Sequence, residues 1–303
     1  MVSRKRRRRS VSIVRTFALL GILAVLVGTG FAFRARIGSQ DSRSFKAPAT
    51  LALIADKRIR ESSGIAASPT RPGVYFTLND SGDSARIFSF NAKGVILREN
   101  KIRNAKNVDW EDMASATLNG RPYLFIGDIG DNAGRRSFIT VYRVVEPTGR
   151  RCSVDQVYNL SYPDEGHNAE TLLVNPANGD LMIVTKARTH PAAVFYLPRP
   201  TKSGSYLLKK LGDIEIESPF GAGKLITGGA WSHDGRHIVL RTYLAAYEYP
   251  ADDPLHWFEK EPFTIRTNLE LQGEAITYTP KDDGLVTTSE GSPCPVSFIP
   301  ISG

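Results

Sequence analysis

Carboxylates and amides come in short bursts along this chain. NDSGD occupies positions 79–83, DWED occupies 109–112 and GDIGDN occupies 127–132, while single acids stand at Glu61, Glu170, Glu274 and Glu290. Oxygen donors at this density, with few His or Cys nearby, suit a hard cation rather than zinc. The expected metal ligands are Asp80, Asp109, Asp128 and Asp131, and the expected ion is Ca²⁺. Glu61, Asn79, Glu111, His167 and Glu290 are expected to bind a polar ligand, with Glu170, Glu274, Lys186 and Arg241 as the candidate catalytic groups. Two chemistries fit these residues. A bound metal can polarise a phosphoester and generate hydroxide, with Lys186 or Arg241 holding the anion. Alternatively Glu170 and Glu274 can act on a glycan as acid and nucleophile or base, their separation setting the stereochemistry. A third reading is a site that binds without catalysing.

Each motif also has a plainer explanation. NDSGD and GDIGDN are good hairpin turns, where Asn, Asp and Gly serve the backbone. Trp110 suits core packing better than a stacking platform, and His167 suits a polar loop. Glu170 and Glu274 can bond neighbouring strands, with Lys186 and Arg241 balancing their charge. What favours a site is convergence, which depends on the elements that carry these residues.

Beyond residue 50 helical periodicity is almost absent. Short strand-like runs recur instead, among them VYFTL, YLFIG, LMIVT, HIVLRTY and PVSFIPI, separated by Gly, Pro, Asn and Asp. Such spacing marks an all-β sandwich, barrel or propeller. Self-comparison decides among these: ESSGIAAS (61–68), DWEDMASA (109–116), HNAETLLV (167–174), ITGGAWSH (226–233) and LQGEAITY (271–278) align at intervals of 48, 58, 59 and 45 residues. Each leads through a turn into a second and a third strand, and most units add a looser fourth. A four-stranded repeat of this length is a β-propeller blade. The reading is five blades, with six possible if the longer units conceal another. The last unit ends after its third strand, so residues 51–59 are expected to return as its fourth, pairing an edge that would otherwise be open.

Strand alternation then sends the loops that enter each first strand, and the loops joining strands two and three, to one face. That face collects Glu61, Asp80, Asp83, Asp109, Glu111, Asp112, Asp128, Asp131, Glu170, Glu274 and Glu290 against only Lys186, Arg188 and Arg241. Like charges so placed raise one another's pKa values. Cys152 and Cys294 fall in non-neighbouring units and on opposite faces, too far apart to bridge; two free thiols are expected.

The net charge of +8 is misleading, because residues 1–36 hold nine Lys/Arg and no acid. The remainder is near neutral and carries no basic surface for nucleic acid. Residues 1–15 are basic, and Thr16–Phe33 is eighteen residues without a charge, near the lower limit of a membrane span. Residues 16–36 are expected to be an anchor with a cytoplasmic N-terminus and an exported remainder; a cleaved signal segment is the alternative, with small residues at 28–30. Residues 37–50 read as a tether and 51–303 as the propeller, expected to be monomeric. G-x-S-x-G, zinc spacing, a phosphate loop and a dinucleotide fingerprint are all absent, so neither a nucleotide nor a haem cofactor is expected.

ESSGIAAS with LNDSGD, DWEDMA, YLFIGDIGDN and YPDEGHNAETLLV resemble exported bacterial β-propeller proteins of WD40-like type over roughly residues 60–303. The resemblance implies a fold and an exported location rather than an activity, and the missing WD dipeptides set the chain apart from eukaryote-style WD40 scaffolds. A weaker similarity is to phytase-like and esterase-like propeller domains, which also open on an SG-I/L-A strand and place acids at the mouth; for phytases it implies Ca²⁺-assisted phosphoester hydrolysis. No dense Lys/Arg cluster that would clamp a multiply phosphorylated substrate accompanies it.

Overall fold

The structure, a computed structural model, describes residues 43–150, 152–270 and 272–302. Two strands come first, β1 (Ser44–Phe45) and β2 (Ala49–Ile54). The first sheet follows as β3 (Ser62–Ala67), β4 (Val74–Asn79), β5 (Arg86–Asn91) and β6 (Ile96–Arg103). The second is β7 (Trp110–Leu118), β8 (Arg121–Asp128), β9 (Ile139–Val145) and β10 (Cys152–Ser161). The third is β11 (Ala169–Val174), β12 (Leu181–Thr185), β13 (Ala192–Leu197) and, past a short β14 (Gly204–Leu207), β15 (Lys209–Ile214). The fourth is β16 (Ile226–Trp231), β17 (His237–Thr242), β18 (Ala245–Pro250) and β19 (Phe263–Arg266). The last is β20 (Gly273–Tyr278), β21 (Gly284–Ser289) and β22 (Cys294–Ser302).

Within each of these groups pairing is antiparallel in chain order; a short parallel pairing of β6 with β10, Ile102 opposite Cys152, joins the first two into one nine-stranded sheet, β14 lies parallel to β10, and β2 returns to pair with β22, Ala49 opposite Phe298 and Ile54 opposite Cys294. β1 extends the same edge, Ser44 opposite Ser302. The tether assigned to 37–50 therefore gives way to strand from Ser44 onward. Its polar composition misled because an edge strand pairs through backbone groups and needs little side-chain burial. The basic segment at 1–15 and the anchor at 16–36 lie outside the described residues.

Burial falls from the axis outward, which explains the sequence pattern. β3, β11, β16, β20 and β21 are buried at every residue, so they read as continuous small or apolar runs. The outer strands β6, β15 and β19 are half in water and carry Lys and Arg. The innermost strands neighbour one another in the cycle β3, β7, β11, β16, β20 and back to β3. Five apolar clusters fill the spaces between successive sheets. The molecule is thus all-β and propeller-like. Packing at the axis is tight: a Cβ on Gly64 would stand 2.7 Å from the Met113 nitrogen, and one on Gly228 2.3 Å from the Glu274 carbonyl. Trp110 is core, as its plainer reading held, donating through Nε1 to the Lys106 carbonyl. Cys152 and Cys294 are free and buried in different clusters.

Candidate functional site

All five inner strands break register once, at the same place: between Ser62 and Gly64, Trp110 and Asp112, Ala169 and Thr171, Ile226 and Gly228, and Gly273 and Ala275. A bulge sets two residues against one and re-aims a side chain. The extra residues are Ser63, Glu111, Glu170, Thr227 and Glu274, one column around the axis. Ser63 Oγ donates to the Glu111 carbonyl (2.6 Å) and Thr227 Oγ1 to the Gly273 carbonyl (3.0 Å), so this column stitches each of those sheets to the next. A second column is the residue just after each second strand: Asp80, Ile129, Lys186, Tyr243 and Glu290. The backbone N–H groups of Asp80, Lys186 and Glu290 donate to the carbonyls of Glu61, Asn168 and Gln272, which fixes that column over the first.

The two columns form a rim with unlike halves. In one half Asp80, Asp109 and Glu111 each bring a carboxylate oxygen to within 4.8 Å of the others. Burial, then Asp80, raises the Asp109 carboxyl to about 6. Burial, then Glu170 and Asp80, lifts Glu111 well above the usual carboxylate range. In the other half Lys186 Nζ donates to Glu170 Oε2 (2.5 Å) and to the Tyr243 hydroxyl (2.8 Å), and Tyr243 donates to Glu274 Oε1 (3.5 Å). Burial works against the Lys186 ammonium, but Glu170, Tyr243 and Glu274 outweigh it and hold the charge. Burial raises Glu170 and Lys186 pulls it part of the way back. Glu274 lies well above its ordinary value through burial, Glu170 and a hydrogen bond to Glu290, and burial pushes Tyr243 up to about 12.

GDIGDN supplies space and struts rather than ligands. A Cβ on Gly130 would lie 2.3 Å from Glu111 Oε1 and 2.4 Å from Asp109 Oδ2, so those two acids occupy the room its missing side chain leaves. Asp128, expected as a metal ligand, accepts the N–H groups of Val108 (3.3 Å) and Asp109 (3.1 Å) and pairs with Arg136 (2.8 Å). Asp131 likewise accepts from the backbone of Arg135 (2.9 Å) and Arg136 (2.7 Å). Asp128 holds the loop that carries Asp109, and Asp131 closes its own turn over residues 131–136.

Other expected residues are also engaged elsewhere. Arg241 is fully buried and donates to the carbonyls of Ala275 (2.9 Å) and Thr288 (3.2 Å) and to the Glu270 carboxylate. It ties the fourth sheet to the last and presents no guanidinium to a substrate anion. Asn79 is spent on the 58–61 segment, accepting from the N–H groups of Arg60 and Glu61 and donating to the Arg58 carbonyl and Asp83. His167 bonds Asp164 and packs on Tyr162 and Phe195. Glu61 holds the rim by its backbone carbonyl, and Glu290 joins Glu274 as expected of a rim residue.

Tyr243, Ser63, Thr227 and Arg136 were not singled out in the sequence. Tyr243 had a detectable signal, since it shares the position after the second strand with Asp80, Lys186 and Glu290. Ser63 and Thr227 become visible only with the bulge register.

The rim is nearly closed: Glu111 is 3%, Glu170 5%, Glu274 6% and Asp80 8% exposed. No family model and no curated protein matches the chain. Among solved structures, the chain is similar to a gluconolactonase from Xanthomonas campestris at 12% identity and a TM-score of 0.46, over 80% of this chain and 72% of that one.

Proposed function

We propose that the chain is an exported, five-bladed β-propeller, anchored in the membrane by residues 16–36, whose mouth binds a hard divalent cation and, through it, a polar ligand. The convergence of Asp80, Asp109 and Glu111 supports this most directly. Burial and neighbouring carboxylates make Asp109 and Glu111 costly as bare anions, and a bound cation removes both costs. An all-carboxylate donor set suits Ca²⁺, and Asp80, Asp109 and Glu111 would hold it, with Gly130 leaving them room. The other half of the rim has its own cation in Lys186. Its Glu274 carboxyl, raised by burial and by Glu170, is a donor for a ligand oxygen.

A thermal melt of the protein with EDTA and then with Ca²⁺ tests this. Ca²⁺ at about 100 Kd adds roughly 2.7 kcal/mol, and Asp80→Asn with Asp109→Asn removes that gain. An unchanged melting point overturns the cation site.

One observation favours a second reading, a hydrolase. Burial raises both Glu170 and Glu274, but the next-largest influence on Glu170 is Lys186, which opposes the rise, whereas on Glu274 the next-largest are Glu170 and Glu290, which add to it ahead of the opposing Lys186. Two carboxyls whose environments separate them are how acid and base roles are assigned. Turnover of p-nitrophenyl phosphates or glycosides that falls away in Glu170→Gln and Glu274→Gln would establish it; no turnover leaves the binding function.

A further inference from the structure

We propose that the outer rim of the first and last sheets is a membrane-docking surface that seats against anionic lipid, a second contact beside the anchor. The proposal rests on the anchored reading above. Leu51 and Leu53 face outward from edge strand β2, and Val95 and Leu97 from the start of β6; all four are about half exposed. They belong to one patch, because a Cβ on Gly94 would lie 3.0 Å from the Leu53 carbonyl and 3.1 Å from the Ala52 side chain. Beside them is a surface hollow of about 460 Å³ lined by Arg58, Leu97, Arg98, Glu99 and Arg150. Three guanidinium groups there meet two carboxylates, Asp56 and Glu99, and Arg58 is the one that both of them hold. Glu99 is bound by Arg58 (2.7 Å), while Arg98 donates to a neutral acceptor, the Thr148 carbonyl (2.6 Å). A positive hollow edged by leucines matches a lipid surface: the phosphate takes the arginines and the acyl boundary takes the leucines.

Chain connectivity places the bilayer within reach. The apolar run ends at Phe33 and the described chain begins at Arg43, with nine residues between. Even fully extended these span only about 30 Å, and they lead directly into the edge formed by β1 and β2. A sheet edge with exposed leucines is an aggregation hazard in water, and a lipid surface covers it.

The test uses the full chain reconstituted into vesicles of phosphatidylcholine, alone or mixed with phosphatidylglycerol. An environment-sensitive label is placed at Leu97→Cys or, as a control, at Phe220→Cys, which is 58% exposed in the connection between β15 and β16. Cys152 and Cys294 are buried, so labelling goes to the introduced thiol. With phosphatidylglycerol present, the label at 97 should shift to the blue and be quenched by brominated lipid, and the label at 220 should not. Arg98→Glu with Arg150→Glu should return the label at 97 to its aqueous signal. A chain that floats with the vesicles while its label at 97 stays in water overturns the docking surface and leaves the anchor intact. Equal quenching at both positions also overturns it. A chain that does not float removes the anchor and the docking proposal with it.

Discussion

Glu146 and Glu111 are equally buried, each 3% exposed, yet their surroundings have opposite character. Glu146 lies at the end of the molecule away from the mouth. Its carboxylate takes hydroxyl donations from Ser68 and from Thr70 (2.6 Å), and pairs with Arg71 at 3.0 Å. Glu248, also buried at that end, accepts from the Tyr278 hydroxyl (2.7 Å) and lies 3.7 Å from Arg43. Glu111 instead faces other acids: Glu170, Asp80, Asp109 and Glu274 all raise its pKa. The same residue type at the same depth is satisfied where it only stabilises the fold and opposed where it can serve a ligand. Desolvating a carboxylate costs several kcal/mol unless something compensates, so the mouth is where compensation from outside has the most to offer.

The comparison can be broken at several strengths. Arg241→Ala should have the largest effect, because it leaves Glu270 buried without its cation. A loss of about 4 kcal/mol in chemical denaturation is expected; a near-neutral result would return Arg241 to the candidate catalytic groups. Lys186→Met should cost about 3 kcal/mol in EDTA. Added Ca²⁺ should then restore more stability than it adds to the unaltered protein, because the Glu170 half would also be open to a metal. Glu111→Gln should act in the reverse sense, stabilising the metal-free protein slightly and abolishing the Ca²⁺ response. Glu146→Gln, at the other end, should destabilise and leave that response untouched.

The smallest effect is in pH. Asp109 titrates near 6 in the folded chain against an ordinary value of 3.8. A carboxyl raised on folding contributes stability that is fully present below the unfolded value and is lost as pH rises through the folded one. In EDTA the melting point should therefore fall between about pH 4 and pH 6. With Ca²⁺ the trend should reverse, since protons and metal compete for the same oxygens. A flat profile in EDTA would mean that the acids at the mouth do not repel.

Much of the architecture was legible in the sequence. Runs such as LMIVT at 181–185 and GLVTTS at 284–289 announce buried strands by composition alone. The recurrence of those runs in units brought Asp80, Glu170, Glu274 and Glu290 to one face, and Glu170 and Glu274 to one column. What escaped was the register within each unit. The repeat alignment set Glu111 one position ahead of Glu170 and Glu274, whereas the bulges at 110–111, 169–170 and 273–274 bring all three level. A bulge leaves no composition signal, because it is a property of two paired strands.

Asp128 and Asp131 teach the same lesson from the other side. By type and spacing they are as good a pair of metal ligands as Asp80 and Asp109. The N–H groups that claim them, on residues 108, 109, 135 and 136, reach them only when the turns close. The sequence by itself determined the strands, the repeat and the gathering of acids at one end, since side-chain periodicity and turn chemistry are local. Which acids meet one another, and which are consumed by backbone or by an arginine, was decided by cross-strand pairing and ring closure. Those depend on residues tens to hundreds of positions apart.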